Sequence, residues 1–177
     1  MDFTSYLKNE IFLKDDTLIT SKTDLKGGIT YANRDFMELG GYREKEFLHK
    51  AHNIVRHPFM PKAAFRLLWD TISHKKEFFA FVCNLSKYKQ TYWVFANVTP
   101  SFDENGNVIS YYSVRRRPSK EGVEAIVGIY KQLLEIEKSS DLDSSVAFVQ
   151  DFLKQNAISW DELMVSLQNK GKNGGYR

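Results

Sequence analysis

The chain has 177 residues, 42% of them hydrophobic, which is enough for a real core and leaves room for one domain plus appendages. Lysine and arginine total 25 against 22 acidic residues, a net charge of +3, too balanced to single out nucleic acid as a partner. Cys83 is the single cysteine, which excludes an intrachain disulfide or a thiolate metal cluster and fits a reducing compartment.

Residues 1–14 place Phe3, Tyr6, Leu7, Ile11 and Phe12 at helical spacing and are predicted as an N-terminal helical cap. Thr17 to Thr23 and Ile29 to Tyr31 read as short strands, joined by Asp24-Leu25-Lys26-Gly27-Gly28, whose glycines can take the positive φ of a turn. Asn33 to Leu39 reads as a short helix with Asn33 as N-cap and Gly40-Gly41 as its end. A second short helix is predicted over Glu44 to Leu48. Pro61 opens the next one, with Ala64, Phe65, Leu68, Trp69 and Ile72 as the buried stripe. Phe78 to Leu85 and Thr91 to Thr99 are the longest predicted strands. Val108 to Val114 is the last, reached through Glu104-Asn105-Gly106-Asn107. The order β-β-α-α-α-β-β-β predicts an α+β domain over residues 15–118: a five-stranded antiparallel sheet with helices on one face.

Residues 119–177 are helical by pattern and are predicted to end in a flexible tail, Gly171 to Gly175. Val123, Ile126, Val127, Tyr130, Leu133 and Leu134 form a stripe that suits packing on the chain's own domain or a coiled coil. Ser145 or Ser144 is expected to open a second helix, and Ser159-Trp160-Asp161-Glu162 reads as a capping box opening a third. No apolar run reaches the length needed to span a bilayer, and the N-terminus has no basic leader before an apolar stretch, so a cytoplasmic protein is expected.

The residues with chemistry cluster in three places. Arg56 and His57 stand together in Asn53-Ile54-Val55-Arg56-His57-Pro58. Arg56 can grip a pyrophosphate or make a surface ion pair, and His57 can donate to an anion or cap a helix. Strand alternation puts Phe78, Ala80, Val82 and Asn84 on one face, with Tyr92, Val94, Ala96 and Val98 on one face of the next strand. Turned inward, these make a flat apolar slot with Phe78 as its wall. Asn84 is then an amide that needs a partner, unless it bonds to a loop at the strand end. Trp93 and Phe95 fall on the other face, as a partner surface or as a patch covered by residues 1–14 or 121–137. Trp69 faces either the slot or the core. His49, His52 and His74 read as surface or packing residues without a metal-ligand spacing. Arg115-Arg116-Arg117 reads as a solvated strand end. No Gly-rich phosphate loop, nucleophile elbow or acid–base pair is visible, so no enzyme is expected.

Several separated motifs then occur in order: Ile29-Thr30-Tyr31-Ala32-Asn33, Gly41-Tyr42, Asn53 to Pro58, Met60-Pro61-Lys62-Ala63-Ala64-Phe65, Trp69, and Tyr92-Trp93-Val94 with Ala96-Asn97. Over about residues 15–120 they resemble the PAS sensor domain of bacterial aerotaxis (Aer-type) receptors. The resemblance implies a PAS fold and non-covalent FAD, with FMN as the lesser choice. It implies a redox signal passed to a membrane-bound methyl-accepting chemotaxis transducer on a separate chain, with homodimerisation left open. Carried over residue by residue, it implies cofactor roles for Asn33, Arg56, His57, Trp69, Phe78, Asn84 and Tyr92. Two positions depart from the pattern: Phe59 stands where the family commonly has Asp, and Phe78 where the receptors have Trp. Photoreceptor relatives need a helical cysteine beside the flavin, whereas Cys83 is on a strand and opposite in face to Asn84. A haem sensor with His74 or His57 as axial ligand, and a cofactor-free interaction module, are the alternative readings.

Overall fold

The computed structural model describes residues 9–170. Five strands form one sheet: β1 (Ile19–Thr23), β2 (Ile29–Ala32), β3 (Phe78–Leu85), β4 (Thr91–Phe102) and β5 (Val108–Arg116). Their order is β2-β1-β5-β4-β3, with every pair antiparallel. The turns follow from local chemistry. Asp24 Oδ1 accepts from the N–H groups of Lys26 and Gly28, and Gly27 takes φ 83° beneath the Trp69 ring. Asp103 does the same for Asn105 and Asn107 before β5.

Between β2 and β3 lie α1 (Arg34–Gly40), α2 (Glu44–Phe47), a 3₁₀ turn over His52–Val55, and α3 (Lys62–Ser73). These cover one face of the sheet, as the element order predicts. Asn33 caps α1, its Oδ1 accepting from Phe36 N at 3.2 Å, and Gly41 ends that helix at φ 72°. A compact cluster of Ile19, Ile29, Phe36, Phe47, Tyr92 and Val94 fills the β1–β2 side under α1 and α2.

The C-terminal part forms three helices, α4 (Lys120–Ser139), α5 (Leu142–Gln155) and α6 (Trp160–Asn169). The α5 helix starts earlier than expected, because Asp141 rather than Ser144 or Ser145 is its cap: Asp141 Oδ1 accepts from Ser144 N at 2.7 Å. Ser145 is fully buried instead. The Ser159–Glu162 capping box opens α6 as the sequence indicates. The stripe on α4 packs on its own domain, with Ile126, Tyr130 and Leu133 completely buried.

This packing settles two expectations. Trp93 and Phe95 are not an open partner surface: they are 2% and 4% exposed. Tyr130 stacks on Trp93 at 6.4 Å, and Phe95 lies edge-on to Phe81 within the same cluster. Covering an aromatic side chain is worth about 1.5–3 kcal/mol relative to exposure, so a chain that carries its own amphipathic helices covers such a patch itself. The cap predicted over residues 1–14 lies partly outside the described residues. Within them, 10–14 form no helix; Ile11 N donates to Thr91 O at 2.8 Å beside β4, and Leu13 is buried.

The free edge of β3 is closed by side chains. Trp160 Nε1 donates to Phe79 O at 2.7 Å, and Phe79 N donates to Asp161 Oδ1 at 3.2 Å. Tyr130 Oη donates to Phe81 O at 2.8 Å, and Cys83 N donates to Met60 Sδ at 3.3 Å. Phe79, Phe81 and Cys83 alternate, so one row of edge groups is occupied, as an exposed edge strand otherwise invites mispairing. Gln168 locks α6 to the end of the domain, accepting from Ser119 N and donating to Arg117 O. At Gly122 the first turn of α4 touches the sheet so closely that a Cβ would collide with the Phe81 ring. Gly122→Ala is therefore expected to lower stability by about 1–3 kcal/mol through overpacking; urea denaturation of the full chain measures it, and an unchanged midpoint would contradict this close docking.

Candidate functional site

A cavity of about 360 Å³ lies between α3 and the inner face of β1, β5, β4 and β3. Its walls come from two periodicities meeting. Alternation on β3 and β4 turns Val82, Asn84, Ala96 and Val98 inward, while helical spacing on α3 presents Phe65, Leu68, Trp69 and Ile72. Ala96 is small and keeps the floor low. Trp69 sits at the rim, 39% exposed, edge-on to Tyr111 at 5.7 Å.

The polar end is built by β5, β1 and the 3₁₀ turn. Ser113 and Arg115 point inward in register with Tyr111, opposite Ser21 of β1 and His52. Arg115 is 6% exposed. Its Nη2 donates to Ser21 Oγ at 2.8 Å and to His52 Nε2 at 2.7 Å. A ring nitrogen that accepts from a guanidinium carries no proton, so the His52 proton belongs on Nδ1. Burial and the Arg115 charge together push the His52 pKa down to about 3, which keeps it neutral. Burial also lowers Arg115, to about 10, and it stays cationic at neutral pH.

The charge at this end is unbalanced. Lys26, Arg56 and Arg115 line the cavity, and among the described residues no carboxylate does. Arg115 Nη1 and Ser113 Oγ are both buried and have no hydrogen-bond partner among the described residues. The Phe36 ring face, 6.0 Å from the guanidinium, offers partial compensation. Asn84, 5% exposed, also lines the cavity, and its backbone bridges Arg56. Unmet buried donors cost about 1–3 kcal/mol each, more when charged. A ligand with an apolar flat body and an acceptor-rich or anionic edge would meet them.

Three of the residues expected from the sequence meet at this cavity: Arg56, Trp69 and Asn84. Arg56 lies at the mouth, its guanidinium 4.0 Å from the Phe65 ring centroid and donating to Met60 O at 2.9 Å. The other four do not line it. Asn33 is committed to its helix cap and to β1: Oδ1 accepts from Thr20 N and Phe36 N, and Nδ2 donates to Leu18 O. His57 is fully buried beside β3. Its Nδ1 accepts from Phe59 N at 3.0 Å, and burial brings its pKa down to about 4, so it braces the loop rather than gripping a phosphate. Phe78 points to the inward face but at the outer end of the edge strand, where it stacks on Trp160 at 5.8 Å and 9°. Tyr92 is buried in the cluster under α1 and α2. His52, Ser21, Ser113 and Arg115 were not indicated as site residues. The available signal was alternation along β5, which puts Tyr111, Ser113 and Arg115 on the cavity side.

Among the described residues no group of His, Cys, Asp and Glu could hold a metal ion, and no helix is long and apolar enough to cross a membrane.

Residues 29–115 match the PAS fold family. The chain is 41% identical over 121 residues to the aerotaxis receptor of Escherichia coli (strain K12), which covers 68% of this chain and 24% of that receptor. Phototropin-2 of Oryza sativa subsp. japonica is 27% identical over 92 residues, 52% of this chain and 10% of that protein. The chain thus spans about a quarter or less of the length of these relatives. Among solved structures, the light state of the Aureochrome1 LOV photoreceptor superposes with a TM-score of 0.57 at 22% identity, covering 62% of this chain and 88% of that one. At that identity the likeness speaks for the fold. The domain that these strands, helices and cavity compose belongs to the PAS family and is of the aerotaxis-receptor type.

Proposed function

We propose that this chain is a cytoplasmic, non-enzymatic redox sensor that binds FAD non-covalently in the cavity and reports to a chemotaxis transducer on a separate chain. The observation that carries the reading is the buried Arg115 guanidinium, with one nitrogen and the nearby Ser113 hydroxyl lacking hydrogen-bond partners among the described residues, in a cavity that no described carboxylate lines.

The residues present suit a flavin. Val82, Ala96, Val98 and Leu68 supply flat apolar surface, and Asn84, Ser113 and Arg115 supply donors for a polar ring edge. Arg56 and Lys26 offer cations for phosphate oxygens. Bound flavin contributes reversible electron exchange. Arg115 holds a fixed positive charge that favours any negative charge gained beside it, and neutral His52 orients that guanidinium without adding a second charge. Asn84 can exchange donor for acceptor contacts with the ring edge and sits on β3, whose other edge meets α4 and α6, so the strand joins the cavity to the C-terminal helices. The haem alternative has little support. His57 and His74 do not line the cavity, and Nε2 of His52 is already engaged by Arg115 and Ser21.

Freshly purified protein of residues 1–177 is expected to carry a flavin absorption spectrum, and heat release followed by chromatography should yield FAD. A colourless protein that takes up no added FAD would defeat the proposal. Arg115→Met keeps the stem and removes the donors; it should weaken FAD binding about tenfold or more, as loss of a charge-assisted contact implies. Fluorescence titration alongside circular dichroism separates this from unfolding, and a folded variant with native affinity would rule out the role of Arg115.

The buried histidines set an acid limit. The folded-state pKa values of His52 and His57 are depressed to about 3 and about 4 from 6.5. Their contribution is therefore full above the unfolded value and is lost as pH falls from about 6.5 toward those folded values, because the unfolded chain takes up protons first. Denaturant titrations at several pH values should show falling stability over this window, and the His52 ring resonance should not titrate between pH 5 and 8.

A further inference from the structure

The cavity wall is held in place from outside the PAS segment. Helix α3 supplies Phe65, Leu68, Trp69 and Ile72 to the cavity, yet its N-terminus lacks a cap of its own: Pro61 occupies that position and has no side chain able to accept a hydrogen bond. The cap comes instead from α4. Glu137 Oε2 accepts from Lys62 N at 3.0 Å, and Glu137 Oε1 accepts from Ala63 N at 2.9 Å. Ser145 Oγ of α5, fully buried, stands 3.5 Å from Oε1 and helps fix the carboxylate. The same carboxylate favours the charged form of Arg56, against the burial that opposes it. Arg56 lies over Phe65, three residues into α3 from Lys62, and both line the cavity mouth. One carboxylate from the C-terminal helices therefore fixes the start of a cavity wall and acts on the cation beside it.

We infer that Glu137 is a positioning residue of the ligand site, through which docking of residues 120–169 and occupancy of the cavity stabilise each other. This rests on the flavin reading for its ligand. The physical logic is linkage: if docked helices hold α3 and Arg56 in the geometry that binds, then binding must favour docked helices by the same factor. The C-terminal helices become the element whose stability reports the cavity's state, and a transducer that competes for the face under α4 would read it.

The test uses the full chain with FAD as probe. Glu137→Gln keeps the shape and removes the charge, and is expected to raise the FAD dissociation constant about tenfold, within the usual range of site–site coupling. Glu137→Asp keeps the charge and should recover part of that loss. Gly122→Ala disturbs docking at Phe81, which does not line the cavity, and should also weaken FAD binding. In the wild type, FAD should slow hydrogen exchange in residues 120–169 as well as within 29–115. If Glu137→Gln fails to fold by circular dichroism, Gly122→Ala and the wild-type exchange experiment decide. Wild-type protein that binds FAD while both variants bind it equally well, with exchange slowed only within 29–115, overturns the coupling and leaves the flavin reading intact. Wild-type protein that binds no FAD overturns both.

Discussion

A guanidinium buried with no carboxylate among the described residues to pair it is the constraint around which the cavity side of this domain is arranged. Taking a cation out of water costs several kcal/mol even after relaxation, and Arg115 recovers part of this from neutral groups alone. Ser21 and the unprotonated nitrogen of His52 take one end of the fork, and the Phe36 face lies 6.0 Å away. This dictates the state of the neighbours. His52 must stay neutral, since a second cation at 2.7 Å would be repelled. The 3₁₀ turn must hold the ring where its lone pair meets the guanidinium. The β1–β5 register must place Ser21 opposite Ser113, so that Arg115, two residues along β5, reaches the serine hydroxyl. A protein that needed only stability would put an apolar side chain there. What remains unmet among the described residues, Nη1 and the Ser113 hydroxyl, is what would favour an electron-rich ligand in the cavity.

The two faces of the sheet are organised on opposite principles. On the cavity face, polar groups are left without protein partners and space is left unfilled. On the other face, aromatic side chains are packed to closure and the β3 edge is bonded residue by residue to Trp160, Asp161, Tyr130 and Met60. Trp93, Phe81, Tyr130, Ile126 and Leu133 are all fully buried on the second face. The well-packed side supports a site that holds desolvated polar groups, and the strand between them is shared. Because β3 carries Asn84 inward and its edge groups outward, a change in the cavity has a short physical route to α4 and α6.

The strands, the helix order and the Asn84–Val82 and Ala96–Val98 faces were legible because period-2 alternation is a local property. Arg56, Trp69 and Asn84 were legible for the same reason combined with motif order. The misplacements share a cause: tertiary partners that no local pattern encodes. Asn33 is taken by β1 as well as by its own helix, since Thr20 N and Leu18 O come from a segment folded back on it. Phe78 is on the right face but at the end where Trp160 arrives from 82 residues downstream. His57 turns toward its own loop, where Nδ1 accepts from Phe59 N at 3.0 Å. Arg115 was hidden by its neighbours. Three consecutive arginines look like a solvated end, yet alternation sends Arg116 outward and Arg115 into the core, and only the full length of β5 to Arg116 reveals it.

The substitution at position 59 gains a physical meaning from this arrangement. In place of the acidic residue that the resemblance to aerotaxis receptors implies, Phe59 packs against the main core and lies edge-on to His57 at 6.5 Å. The loop that carries Arg56 thereby lacks the negative charge that would sit three residues away. The carboxylate that acts on Arg56 is Glu137, delivered by α4. A charge that belongs to the loop would hold Arg56 whatever the C-terminal helices did. A charge that arrives on a separate helix holds it only while that helix is docked, which makes the cation at the cavity mouth conditional on the packing of the opposite end of the chain.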